Sequence, residues 1–284
     1  MKNIIFKTTL LSIVFLSIAL TGCGKKTDVK KGITIKGSDT MVHLMSTLAE
    51  AYMKKNPGSQ VSVTGGGSGT GIAALINGTT DICASSRDMQ EKEKNDAAKK
   101  NITPKEFSIA NDGLAVFVNP ANPVNELTLE QIKKIYTGAY TNWKELGGPD
   151  KPIVAYSREN SSGTYVFFQE HVLGKQDYAK TVRLMTATSA IIQSVTEDQW
   201  SIGYGGLGYT KDAKVKVINV KKDDNSPAVT PSIKTVLDKS YSIARPLFLY
   251  FNGEPQGEMK SFLDFCMSDE GQKIVEETGY VGLK

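Results

Sequence analysis

The segment Ser157 to Tyr165 reads Ser-Arg-Glu-Asn-Ser-Ser-Gly-Thr-Tyr. It places one arginine a few residues ahead of a Ser-Ser-Gly-Thr turn that opens the apolar segment Tyr165 to Val172. A helix starting there presents its first backbone N–H groups beside Ser and Thr hydroxyls, with an arginine fork nearby. Such a constellation suits an oxyanion. Two earlier stretches repeat it: Gly37-Ser38-Asp39-Thr40 ahead of the amphipathic run Met41 to Lys55, and Gly65-Gly66-Gly67-Ser68-Gly69-Thr70-Gly71 ahead of Ile72 to Asn77. Three hydroxyl-bearing turns, each feeding a helix N-terminus, can converge on one anion.

The arginines are few in this lysine-rich chain, and Arg87 and Arg158 each follow a serine at the end of an expected strand. A planar fork pairs two oxygens of a tetrahedral oxyanion at once, which a lysine does not. The competing role for each is a structural ion pair, Arg158 with Glu159 or Asp112, and Arg87 with Asp88. The glycine-rich turn at 65 to 71 lacks the Gly-Lys-Ser/Thr ending of a phosphate-binding loop of nucleotide enzymes, and no ribose-binding acid follows it at the expected place. A serine hydrolase is the rival reading from another class. His43 and His171 are the only histidines, both fall inside expected helices, and no Gly-x-Ser-x-Gly elbow is present. Catalysis has poor support, and no Cys/His cluster has metal-ligand spacing, so neither cofactor nor metal is expected.

Positioning these turns requires strands that end where they begin. Ile33 to Ile35, Val61 to Val63 and Asp81 to Ala84 read as strands, each running into a Gly- or Ser-containing turn, with the helix Met41 to Lys55 between the first two. The face Met41, Leu44, Met45, Leu48 and Tyr52 carries that helix's apolar stripe, and Asn56-Pro57-Gly58 stops it. Strand, turn, helix in this order implies α/β with mostly parallel strands and a ligand beyond their carboxyl ends. After a charged helix, Glu91 to Lys100, and the buried strand Leu114 to Val118, the pattern restarts. It gives a helix Leu129 to Tyr136, a strand Ile153 to Tyr156, a helix within Leu184 to Trp200, the strand end Ser201 to Gly206, the apolar strand Ala244 to Tyr250, and one or two closing helices in Gln256 to Glu277. Two such blocks suggest two lobes, with the strands near 114 to 118 and 245 to 250 as the crossings.

The 284 residues carry 34 Lys and Arg against 30 Asp and Glu, and two of those lysines, Lys2 and Lys7, precede the apolar run Leu10 to Leu20. That run is too short to span a bilayer and has the charge layout of a secretory leader. The near-neutral remainder gives no reason to expect nucleic-acid binding. Leu20-Thr21-Gly22-Cys23 resembles a bacterial lipobox, in which the cysteine becomes the lipidated first residue. The expected division is a leader at 1–22, a lysine-rich tether at 23–32, one lobe from 33–113 with 247–284, and a second from 114–246. Cys83 and Cys266 sit among apolar neighbours and read as small buried hydrophobes.

Taken together, Gly37 to Thr40, Gly65 to Gly71, Asp81-Ile-Cys-Ala-Ser-Ser-Arg87, Tyr136-Thr-Gly through Asn142-Trp-Lys-Glu-Leu-Gly-Gly148, Arg158 through Thr164 and Ile202-Gly-Tyr204 resemble the phosphate-binding proteins of bacterial high-affinity phosphate importers. The resemblance runs from about Ile33 to the C-terminus. It implies an α/β, two-lobed type II periplasmic-binding-protein-like fold with dehydrated phosphate in the interlobe cleft. It also implies a monomeric, non-enzymatic receptor, anchored by lipid at the extracytoplasmic face of the cell membrane and delivering phosphate to ABC permease subunits. By motif, Ser38, Thr40, Ser68, Ser86, Arg158, Ser162, Gly163 and Thr164 fall on phosphate-contacting positions, with Arg87 as an added donor. Some relatives end the third strand in Ala-Ser-Asp, where the carboxylate accepts from protonated phosphate; this chain has Ser86-Arg87 there. Asn160 stands where some carry an acid that orients the arginine, which leaves Asp39 and Asp112 as candidate acceptors. The same architecture serving sulfate or molybdate is the alternative within the fold.

Overall fold

The computed structural model describes residues 32–283. The leader 1–22, Cys23 and the tether up to Lys31 lie outside the described residues, and Lys31–Lys284 forms a compact unit of its own. The first block supplies β1 (Ile33–Gly37), α1 (Val42–Lys55), β2 (Val61–Thr64), α2 (Ser68–Ile76), β3 (Ile82–Ser85) and α3 (Glu91–Lys99). Here β1 lies between β2 and β3, parallel to both. The long strand β4 (Pro104–Val118) then leads into the second block. That block comprises β5 (Glu126–Thr128), α4 (Leu129–Tyr136), β6 (Val154–Arg158), α5 (Gly163–His171), β7 (Arg183–Met185), α6 (Thr188–Glu197), β8 (Ser201–Gly206), β9 (Lys216–Val217), β10 (Asn219–Lys221) and α7 (Ile233–Leu237). The chain returns through β11 (Ala244–Asn252) and ends in α8 (Gly257–Met267) and α9 (Asp269–Glu277).

The sheet order β2-β1-β3-β11-β4-β8-β6-β7 makes β4 and β11 the junction between two α/β lobes. The first part of β4 runs antiparallel to β11, as far as Gly113 opposite Ala244, and its last five residues, Leu114 to Val118, pair with β8 instead. Side chains alternate across this sheet, so each lobe has a core on both faces. In the second lobe Leu114, Val116 and Val118 join one cluster around Trp143, Tyr136 and Phe168. Ala115 and Phe117 join another with Ile191 and Val195. In the first, Leu247, Leu249 and Phe251 pack with Ile35 and the α1 residues Leu44, Met45, Leu48 and Tyr52. Phe248 and Tyr250 pack with Ile72, Leu75 and Cys83 on the other side.

Two boundaries depart from the sequence reading. The strand expected at Leu114 to Val118 begins ten residues earlier, because the polar segment from Pro104 is held by β11, a partner far away in sequence. The glycine-rich turn is shorter than expected: α2 starts at Ser68, so only Gly65 to Gly67 form the turn. The helix expected within Leu184 to Trp200 is found there as Thr188–Glu197, after the short edge strand β7 that holds Leu184.

Candidate functional site

Register brings the first two turns together. β1 and β3 are parallel with Gly37 opposite Ala84, so Ser38 and Ser86 leave the sheet side by side, and the Ser38 hydroxyl donates to Ser86 Oγ at 2.9 Å. The Ser86 N–H donates to Ser68 Oγ at 3.1 Å, and the two hydroxyl oxygens lie 3.3 Å apart. Ser68 is the first residue of α2, where backbone N–H groups lack intrahelical partners. The turn before it needs glycine at 67, whose φ is +100° and where a Cβ would lie 2.5 Å from the Ser161 carbonyl oxygen. That carbonyl, from the other lobe, accepts the Gly69 N–H at 3.0 Å.

The second lobe supplies the third turn. Ser162 caps α5, accepting the Thr164 N–H at 3.2 Å. Gly163 follows, and a Cβ there would lie 2.3 Å from Ser68 Oγ and 2.8 Å from Ser86 Oγ. Thr164 Oγ1 lies 2.8 Å from Thr40 Oγ1. Ser38, Thr40, Ser68, Ser86, Ser162 and Thr164 are all buried. Hydroxyls from both lobes thus share one enclosed cluster at the starts of α2 and α5.

Arg158 ends β6 and is 1% exposed. Its Nη1 donates to Asp39 Oδ2 at 2.9 Å and to Thr188 Oγ1 at 3.0 Å, its Nη2 to the Thr186 carbonyl at 2.8 Å, and its Nε to the Met185 carbonyl at 3.3 Å. Burial lowers the guanidinium's pKa and the Asp39 carboxylate opposes that shift. An arginine remains charged at neutral pH under both influences. The same Asp39 oxygen accepts the Thr188 N–H at 2.9 Å, so a lobe-one carboxylate caps the start of α6 in lobe two. Asp39 is therefore the ion-pair partner of Arg158, in place of the Glu159 or Asp112 weighed from sequence.

Arg87 lies beside the start of α2, but its fork is taken. Nη1 and Nη2 donate to the two Glu93 oxygens at 2.8 and 2.7 Å, and Nη1 also donates to the Asp88 carbonyl. Asp112 is fully buried and pairs with Arg245 at 2.9 Å. Burial pushes its carboxyl up, with Arg245 and the Leu207 N–H pulling it back. Each of these three buried arginines therefore meets a carboxylate, Arg158 with Asp39, Arg245 with Asp112 and Arg87 with Glu93.

Sequence reading did not single out Arg245, Thr188 or Tyr209. Tyr209 OH donates to the Asp39 carbonyl at 2.7 Å. Arg245 left a signal: a charge at the head of the apolar strand Ala244 to Tyr250 has to be buried with a partner. Thr188 and Tyr209 left none, because they reach the site through contacts with Asp39, 149 and 170 positions away in the chain. Among the described residues no group of three or more His, Cys, Asp or Glu is arranged to hold a metal ion, and no helix is long and apolar enough to cross a membrane.

A family model described as a PBP superfamily domain matches residues 24–270. The phosphate-binding protein PstS of Staphylococcus haemolyticus is 38% identical over 261 residues, 89% of this chain and 82% of that protein. The PstS of Staphylococcus aureus strain USA300 is 37% identical over 267 residues, 92% of this chain and 81% of that protein. Among solved structures, a substrate-binding protein assigned to phosphate ABC transport in Clostridium perfringens, with bound phosphate, has a TM-score of 0.80 and 37% identity, covering 89% of this chain and all of that one. An ABC-type phosphate transport receptor from Vibrio cholerae has a TM-score of 0.70 and 34% identity over 88% of this chain and 99% of that one.

Proposed function

This chain belongs to the PBP superfamily and within it to the PstS family of phosphate-binding proteins, and we propose on that premise that it captures inorganic phosphate outside the cytoplasm and delivers it to an ABC importer. The observation that carries the reading is the enclosed hydroxyl cluster of Ser38, Thr40, Ser68, Ser86 and Thr164, set at helix starts from both lobes and flanked by Arg158. These hydroxyls hydrogen-bond to one another, which spares the buried site unpaired polar groups. On binding they exchange those bonds for bonds to phosphate oxygens. The first N–H groups of α2 and α5 and the Arg158 charge complete the donor set. Ser162 and Gly163 form the start of α5 that faces the anion, Ser162 by capping and Gly163 by leaving room. Arg87 acts at the rim through Glu93 and influences the site indirectly.

Protonated phosphate also needs an acceptor, which sulfate does not. The Asp39 and Asp112 carboxylates are engaged by arginines and backbone N–H groups, so the acceptor falls to the serine oxygens of the Ser38–Ser86–Ser68 chain, which both give and take hydrogen bonds. The lobes divide at 113/114 and 246/247, and the anion sits where the carboxyl ends of β1, β3 and β6 meet. The receptor acts as a monomer held by a lipid on Cys23, since two acyl chains suffice for stable anchoring. Calorimetric titration with phosphate, sulfate and a phosphomonoester tests the reading. Phosphate is expected to bind, with the other two weaker; sulfate binding equal to phosphate at pH 7 would transfer the assignment to oxyanions in general.

A further inference from the structure

We propose that Arg245 is a positioning residue of the anion site, which fixes the Thr164 hydroxyl as a donor toward the ligand; this rests on the phosphate reading above. Arg245 stands on β11 where the chain crosses between lobes, and it is 3% exposed. Its Nε and Nη2 donate to Asp112 Oδ2 at 3.3 and 2.9 Å, which already satisfies an ion pair. The same Nη2 makes one more bond, to Thr164 Oγ1 at 2.9 Å, on the first turn of α5. Its guanidinium carbon lies 5.3 Å from the centre of the Phe167 ring, one helical turn further along.

The consequence is a matter of proton direction. A guanidinium only donates, so Thr164 Oγ1 is an acceptor toward Arg245 and its single proton must point elsewhere. The neighbour within reach is Thr40 Oγ1, 2.8 Å away across the cleft. A phosphate oxygen entering the cluster would receive that proton. Without Arg245 the Thr164 hydroxyl is free to rotate and to act as an acceptor, which an anion oxygen does not reward. Among the described residues Arg245 Nη1 is buried with no partner, so part of its donor capacity is not used by Asp112 and Thr164. Asp112 keeps the arginine's charge neutralised when no anion is present, and its other oxygen is held by the Leu207 N–H at 3.2 Å.

The test is a mutant cycle on the full-length protein, read by phosphate calorimetry with thermal melting as a check on folding. Arg245→Lys keeps a charge opposite Asp112 but offers a compact ammonium in place of the fork that reaches both Asp112 and Thr164. Thr164→Val removes the hydroxyl at nearly constant shape. Each single change is expected to weaken phosphate binding roughly tenfold, the loss of one charge-assisted or anion-directed bond. The double variant is expected to bind within about twofold of Thr164→Val alone, because Arg245 acts through that hydroxyl. If the losses multiply to roughly a hundredfold, or if Arg245→Lys binds like the wild type, Arg245 does not act through Thr164 and the inference is wrong. Should Arg245→Lys fail to fold, Arg245→Gln combined with Asp112→Asn removes both charges and carries the same cycle. A wild-type protein that binds no phosphate would overturn the proposed function, and this inference with it, whereas multiplying losses in a phosphate-binding protein would overturn the inference alone.

Discussion

Replacing Arg158 with alanine, set beside the same change at Arg87, tests the sequence's ranking of Arg158 above Arg87 as the arginine that serves the anion. The Arg158 guanidinium is buried and uses all three of its nitrogens, and its Nη1 holds the Asp39 carboxylate against the cleft. On the proposed function, truncation removes the Arg158 charge and a charge-assisted donor, the second Nη2 N–H, the one not given to a protein acceptor, and among the described residues leaves the Asp39 carboxylate with the Thr188 N–H, a net negative charge beside an incoming dianion. One such bond is worth about 1.5 to 3 kcal/mol, so phosphate affinity should fall by roughly 10- to 100-fold, with the Asp39 repulsion adding to it. The fold should survive, because the Asp39 side chain is 19% exposed and can hydrate, unlike the partner of a fully buried pair, whose stranding costs about 3 to 5 kcal/mol. Arg87→Ala gives the opposite profile. Its fork is committed to Glu93, so affinity should stay within about threefold while thermal stability drops, as expected when a partly buried bidentate pair is broken. Calorimetric titration of both variants, with melting curves alongside, reads the two effects separately. Near-wild-type affinity in Arg158→Ala together with lost binding in Arg87→Ala would refute the reasoning and move the centre of the site to the first lobe.

Gly163→Ala places a methyl 2.3 Å from Ser68 Oγ, so the lobes should fail to close on the hydroxyl cluster; titration should show at least roughly tenfold weaker phosphate binding with a melting temperature near that of the wild type. Cys23→Ala should release the protein from membranes or block its processing, and cell fractionation showing unchanged membrane association would count against the lipid anchor. Among the described residues Cys83 and Cys266 form no disulfide, both are fully buried, and burial pushes both thiols above their usual range, so a thiol reagent at pH 8 should label neither until denaturant unfolds the chain.

What the sequence made legible is what local chemistry dictates. The turns at 37–40, 65–71 and 157–165 announced themselves because glycine and hydroxyl residues stand directly between a β-patterned and a helix-patterned segment, and the α1 stripe because its period is helical. What stayed hidden depends on partners distant in the chain. The first half of β4 is polar and becomes a strand only against β11, more than a hundred residues on. The strands β7, β9 and β10 are two or three residues long, too short for any periodicity to register. In the site, the hydroxyls were legible and the ion pairs were not. Asp39 lies 119 positions from Arg158 and Asp112 lies 133 from Arg245, so nothing local marks either pair, whereas Arg87 finds Glu93 six residues away.

The pairing of every buried arginine at this cleft with a carboxylate bears on how the site works. An unpaired buried guanidinium would bind a dianion tightly but would leave the ligand-free receptor with an uncompensated interior charge, a cost that favours opening or unfolding. With Asp39, Asp112 and Glu93 in place, each of these guanidinium charges is matched by a carboxylate. On the proposed function, attraction for phosphate then comes chiefly from oriented dipoles: hydroxyls that exchange mutual bonds for bonds to the anion, and helix starts whose N–H groups face it. Such interactions are short-ranged and lose most of their strength when the lobes separate by a few ångström. A receptor that must hold its ligand when closed and yield it when opened is served by that distance dependence, which a cluster of bare charges would not provide.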